Sequence, residues 1–237
     1  NGSFPSRAGT VMGTSLEFFT TGDGVRLAYR FDGNPQLPVL LLSNSIGTDL
    51  QMWEEQVPLL TEHFRVLRYD ARGHGASDAP VGAYSLDRLG RDVVELLDGL
   101  QLPRVHVLGL SLGGFVGQWL GIYAPERVGR LVLANTAAYL GPPGNWDAAI
   151  AQVVAAPDMH ETAEMFLRNW FPPALLASGS GQIERFRRTL RATSQLGLAG
   201  SWAAVRDADF RRTASLIEVP TLVIAGEFDT VTSLQHG

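Results

Sequence analysis

Apolar residues recur along this chain in two rhythms. Short continuous or alternating apolar runs, the mark of strands, fall at 16–20, 25–31, 38–42, 65–69, 105–108, 131–134 and 221–225. Longer stretches with apolar residues every three or four positions, the mark of amphipathic helices, fall at 52–61, 86–100 and 113–123. Thr21-Gly22-Asp23-Gly24 separates the first two strands, and its glycines suit a hairpin turn. The run Pro38 to Leu42 is apolar after its proline, as strands buried on both faces are. Strand, helix and strand in alternation predict a mostly parallel sheet with helices on both faces.

The rhythm changes after Asn135. Between 136 and 219 strand-type runs disappear, and helical spacing covers 146–156, 160–171, 182–196 and 200–206. Pro142-Pro143, Pro157, Pro172-Pro173 and Gly179-Ser180-Gly181 break these stretches apart. The expected organisation is an α/β core of 16–135 and 220–237, interrupted by a helical lid at 136–219. The stretch 1–15 reads as a leader, processed or expression-derived, with Met12 as a candidate natural start.

Composition narrows the function classes. At 237 residues, 45% hydrophobic and 18% charged, the chain can bury the core of one α/β domain with an insertion. Its net charge of −5 argues against nucleic acid or an anionic membrane as partner, since both require a basic face. There is no cysteine, which excludes disulfides, thiolate catalysis and zinc–thiolate sites. With neither a signal-peptide pattern nor an uninterrupted apolar span of membrane length, the expected compartment is the cytoplasm.

Gly109-Leu110-Ser111-Leu112-Gly113 fits G-x-S-x-G, with a predicted strand before it and a predicted helix after it. That is the context of a nucleophile elbow, in which a tight turn lifts a serine hydroxyl out of the sheet. Two main-chain N–H groups are expected to form the oxyanion hole. One is Leu112, after the nucleophile; the other is Ile46, in the loop Ser43-Asn44-Ser45-Ile46-Gly47 after the third strand. A carboxylate is expected just after a late strand, which makes Asp229 the candidate acid and Glu227 the fallback. None of the five histidines, His63, His74, His106, His160 and His236, suits the base, and His74 and His160 are the least unsuitable. Trp146, Trp170 and Phe171 are candidate pocket residues, though core packing accounts for them equally. The chemistry calls for no metal and no cofactor.

The residues from Leu40 to Trp53, from Tyr69 to Ser77, from Gly109 to Gly114, from Ala124 to Arg127 and from Leu131 to Ala138 resemble the 3-oxoadipate enol-lactone hydrolases. These are α/β-hydrolases of aromatic catabolism. The likeness implies the α/β-hydrolase fold and an ester- or lactone-cleaving serine enzyme. It further implies that Asn44-Ser45 replaces the more usual His-Gly of the oxyanion loop without loss of the hole. Such relatives continue past the positions matching 234–237 with a helix, a strand, a histidine-bearing loop and a final helix. The catalytic histidine is therefore expected from a separate segment, or the chain is a shortened form. An anionic lactone would call for one lid arginine, and the sequence does not choose among them. Two other readings are a general short-chain carboxylesterase and, in another class, a non-catalytic ligand-binding protein on the hydrolase fold.

Overall fold

The computed structural model describes residues 15–237; the leader expected at 1–15 lies, but for Ser15, outside the described residues. Seven strands form one sheet in the order β1-β2-β4-β3-β5-β6-β7. They are β1 (Glu17–Thr20), β2 (Arg26–Asp32), β3 (Val39–Ser43), β4 (Arg65–Tyr69), β5 (Val105–Leu110), β6 (Val128–Ala134) and β7 (Thr221–Ile224). β1 and β2 are an antiparallel hairpin, and β2 also runs antiparallel to β4. From β4 across to β7 every pairing is parallel. Each strand expected from the apolar runs is present.

The helices follow the same logic, with differences that have local causes. The expected helix at 52–61 is a 3-10 turn, Leu50–Trp53, and a single-turn helix α1, Val57–Leu60. Pro58 has no N–H to donate and restricts the residue before it, so a helix can begin around it but not run through it. α2 (Leu86–Gly99) starts where the Ser85 hydroxyl accepts the Arg88 N–H, and it buries Leu89, Val93, Leu96 and Leu97 against the sheet. α3 (Leu112–Tyr123) follows β5 directly and is buried almost all round. Between β6 and β7 come five helices: α4 (Pro143–Ala155), α5 (His160–Trp170), α6 (Pro173–Ala177), α7 (Gly181–Ala192) and α8 (Gln195–Asp207). The boundary between α7 and α8 falls at Thr193-Ser194, inside one expected helix, because the Ser194 hydroxyl caps α8 through the Gly197 N–H.

The strand order positions the site. After β3 the chain steps to β4 on one side; β5 lies on the other side of β3. The loops leaving the carboxyl ends of β3 and β5 therefore diverge. In parallel sheets the crevice at such a switch point is where ligands bind.

Candidate active site

Ser111 occupies that crevice in a conformation few residues adopt, with φ 55° and ψ −113°. Holding a non-glycine residue in such a region costs roughly 1–3 kcal/mol. The surroundings enforce it. The Ser111 N–H donates to the Ala134 carbonyl at 3.0 Å, and its own carbonyl accepts from Gly114 N–H at 2.8 Å and Phe115 N–H at 3.1 Å. The Thr136 hydroxyl donates to the same carbonyl at 2.8 Å. The neighbouring glycines are required by space. A Cβ at Gly109 would land on the Gly113 carbonyl, and one at Gly113 would land on the Ser43 carbonyl. A Cβ at Gly114 would lie 2.5 Å from the Thr136 Cβ.

The loop after β3 is held as firmly. Asn44 donates through Nδ2 to the Tyr69 carbonyl and accepts the Trp53 indole N–H, each at 2.8 Å, while its own carbonyl receives the Gly113 N–H at 3.0 Å. Gly47 N–H donates to His74 Nε2 at 2.9 Å, and His74 Nδ1 lies 3.2 Å from the Arg72 carbonyl. The proton of neutral His74 therefore sits on Nδ1. Between these anchors the Ile46 N–H is left open. Neither it nor the Leu112 N–H has a protein acceptor among the described residues. Ile46, Leu112 and Ser111 together line a cavity of about 500 Å³.

The rest of the cavity wall comes mainly from the helices between β6 and β7. Trp146, Met165, Phe166, Trp170 and Trp202 supply much of it. Trp146 donates its indole N–H to the Leu140 carbonyl at 2.6 Å, and its ring lies 6.5 Å from that of Trp202. Trp170 packs 5.0 Å from Phe166. Phe171 packs on Phe186 at 5.3 Å and is not part of the wall.

Asp229 follows β7 and is held by four donors. Asn135 Nδ2 and the Thr232 hydroxyl reach Oδ2 at 2.6 and 2.7 Å; the Val231 and Thr232 N–H groups reach Oδ1 at 2.8 Å each. Partial burial pushes this carboxyl up, but the hydrogen bonds outweigh it and hold the group below the usual aspartate value, as an anion. Asp229 is not itself on the cavity wall, but Val231, whose N–H it accepts, is. Glu227 is exposed and has no hydrogen bond to protein among the described residues.

The model of the alpha/beta hydrolase fold family matches residues 38–237. The chain belongs to the α/β-hydrolase fold family. It is 40% identical to 3-oxoadipate enol-lactonase 2 of Acinetobacter baylyi over 217 residues, which cover 92% of this chain and 81% of that enzyme. A hydrolase structure from Pseudomonas aeruginosa PA01 is 62% identical, with a TM-score of 0.92 over 93% of this chain and 83% of that one. The enol-lactonase structure from Burkholderia xenovorans LB400 is 37% identical, with a TM-score of 0.89 over 93% and 85% of the two chains.

In this α/β-hydrolase the structure thus brings Ser111, Ile46, Leu112, Trp146 and Trp170 to one cavity, and Asp229 is joined to its wall through the Val231 N–H. The two histidines singled out as least unsuitable for a base do not reach Ser111. His74 is buried with both ring nitrogens engaged, and His160 is exposed at the start of α5, beside Glu161. His106 lies within β5 against Phe64, and His236 Nδ1 accepts from Ser233 N–H at 3.1 Å. The sequence reading missed Asn135 and Thr136, which hold Asp229 and the Ser111 carbonyl. Asn135 has φ 42°, a conformation asparagine tolerates better than most residues, but its partner is 94 positions away. Among the described residues no helix is long and apolar enough to cross a membrane.

The burial of His74 has a measurable consequence. Burial pushes its pKa down from 6.5 to about 4, with the Arg72 carbonyl opposing. The unfolded chain therefore takes up this proton near pH 6.5 and the folded chain only near pH 4. Stability contributed by neutral His74 is present above that window and lost as pH falls through it, by up to about 3 kcal/mol. In His74→Gln the amide retains a donor and an acceptor but does not titrate. The stability advantage of wild type over the variant, measured by urea unfolding, is expected to shrink from pH 7 to pH 4.5. A constant difference would contradict the buried, neutral assignment.

Proposed function

We propose that this protein is a serine hydrolase that opens an enol-lactone, with 3-oxoadipate enol-lactone as the best-supported substrate. The observation that carries the reading is the meeting of a strained serine with two open main-chain N–H groups in one cavity. Ser111 Oγ attacks the lactone carbonyl as an imidazole takes its proton, later returned to the leaving ring oxygen, and the developing oxyanion is received by the N–H groups of Ile46 and Leu112. The ring oxygen departs, the acyl-enzyme remains on Ser111, and water then releases the ring-opened acid. Asp229 is the acid that orients an imidazole and stabilises its charged form. We place that imidazole on a further segment packed beside Asp229, since no described histidine lines the cavity. The exposure of Leu222 and Ile224, at 57% and 48%, supports a further segment covering β7. The helices α4 to α8 act as a lid, with Trp146 and Trp170 packing against the bound ring. Enol-lactonases among the relatives support the substrate class, and the chain's lack of cysteine supports a cytoplasmic setting.

The test compares kcat/KM on 3-oxoadipate enol-lactone with that on p-nitrophenyl acetate. The proposal expects the lactone to be preferred by at least about tenfold, or 1.4 kcal/mol of transition-state binding. Equal or better use of the plain ester would replace the lactonase reading with a general carboxylesterase.

A further inference from the structure

The helical segment that roofs the cavity holds eight arginines; five pair with carboxylates, and of the three that do not, Arg168, Arg188 and Arg212, only Arg168 lines the cavity. Arg187 and Arg191 both pair with Glu164 on α5, and Arg187 also pairs with Glu184. Arg206 is held between Asp147 and Asp207, Arg211 by Asp209, and Arg185 lies 3.9 Å from Glu55. Arg168, in the last turn of α5, has no carboxylate partner among the described residues. Among the described residues it is the only cation on the cavity wall; the only other charged residue there is Glu161, two turns earlier on the same helix. Around them the wall is apolar or carries uncharged amides such as Gln152 and Asn169. An arginine in a final helical turn also complements the helix dipole, but that role does not require it to face a cavity.

We propose that Arg168 is the specificity-determining residue for a negatively charged substrate, binding a carboxylate that takes no part in the reaction. This rests on the lactonase reading above and deepens it. Closing one carboxyl of a six-carbon keto diacid into an enol-lactone leaves the other free and ionised at neutral pH. A guanidinium fits a carboxylate through two parallel N–H donors. Because Arg168 is exposed at the cavity mouth, it can meet the anion before the ring enters. Glu161 repels the same charge, so the bound carboxylate lies toward the Arg168 end of α5. The carboxylate's charge does not change as the ring opens, so the contact lowers KM and leaves kcat nearly unaltered.

The experiment uses two enol-lactones that differ in this one group: 3-oxoadipate enol-lactone, and the neutral α-angelica lactone, which has a methyl in place of the acid arm. In Arg168→Gln, kcat/KM for the anionic lactone is expected to fall about 10- to 100-fold through KM. That for the neutral lactone is expected to change less than about twofold. Arg168→Lys is expected to fall between the two, and Glu161→Gln to improve only the anionic lactone. A parallel loss on both lactones, or none on either, overturns the proposal. Adipate inhibition of p-nitrophenyl acetate cleavage provides a readout independent of lactonase activity. Its Ki is expected to rise about tenfold in Arg168→Gln, and an unchanged Ki overturns the proposal even if the natural lactone proves to be another. A wild-type enzyme that cleaves the plain ester but neither lactone defeats the lactonase reading alone.

Discussion

Ser111→Ala is expected to reduce kcat/KM on the lactone by about 10⁴- to 10⁶-fold while leaving the fold and the cavity intact. The size follows from the role. Removing a nucleophile leaves only the main-chain donors and the binding pocket to act on bound water. The backbone at Ser111 adds a second, opposite effect. With φ 55° and ψ −113° this residue is strained by its Cβ, and alanine keeps that Cβ whereas glycine does not. Ser111→Gly is therefore expected to be as inactive as Ser111→Ala yet about 1 kcal/mol more stable in urea unfolding. A site whose activity is set by its strain behaves this way, because the conformation serves the hydroxyl and not the fold. Should Ser111→Ala retain activity within tenfold of wild type, the attacking group is elsewhere.

Gly113→Ala is expected to be among the most damaging single-methyl changes in the chain, costing at least about 3 kcal/mol. The added carbon would land on the Ser43 carbonyl, which is backbone and cannot rotate aside. The same approach lets the Gly113 N–H bond the Asn44 carbonyl at 3.0 Å, so separating α3 from the β3 loop would also displace the Ile46 N–H. The control is Gly144→Ala in α4, where a Cβ would meet nothing within 4 Å and alanine favours the helix. Urea midpoints are expected to fall sharply for the first and to hold or rise for the second. If both variants have wild-type midpoints, the close packing of the elbow is wrong.

Much of this arrangement is local, and the local part was legible in the sequence. Whether a strand is buried on both faces is settled within five residues, as in Val39–Ser43, so the apolar runs marked every strand. The elbow was legible for the same reason: the glycines that permit it sit two positions either side of Ser111. Helix 52–61 failed on one residue, Pro58, and the α7–α8 boundary on one hydroxyl, that of Ser194. The rest of the site depends on pairs far apart in the chain. Asn135 meets Asp229 across 94 positions, and His74 receives the Gly47 N–H across 27. Nothing in the neighbourhood of Asn135 or His74 signals such a partner. Arg168 was hidden differently. Eight arginines between β6 and β7 look alike in sequence; five are held by carboxylates, and only the packing of the helices shows that, of the remaining three, Arg168 alone faces the cavity.

The most direct test of the account is to titrate the purified protein with a fluorophosphonate while following lactone hydrolysis and intact mass. The account predicts one adduct per chain, on the peptide that contains Ser111, with activity lost in proportion to labelling. Hydrolysis that survives full labelling, or an adduct on any other residue, would contradict it.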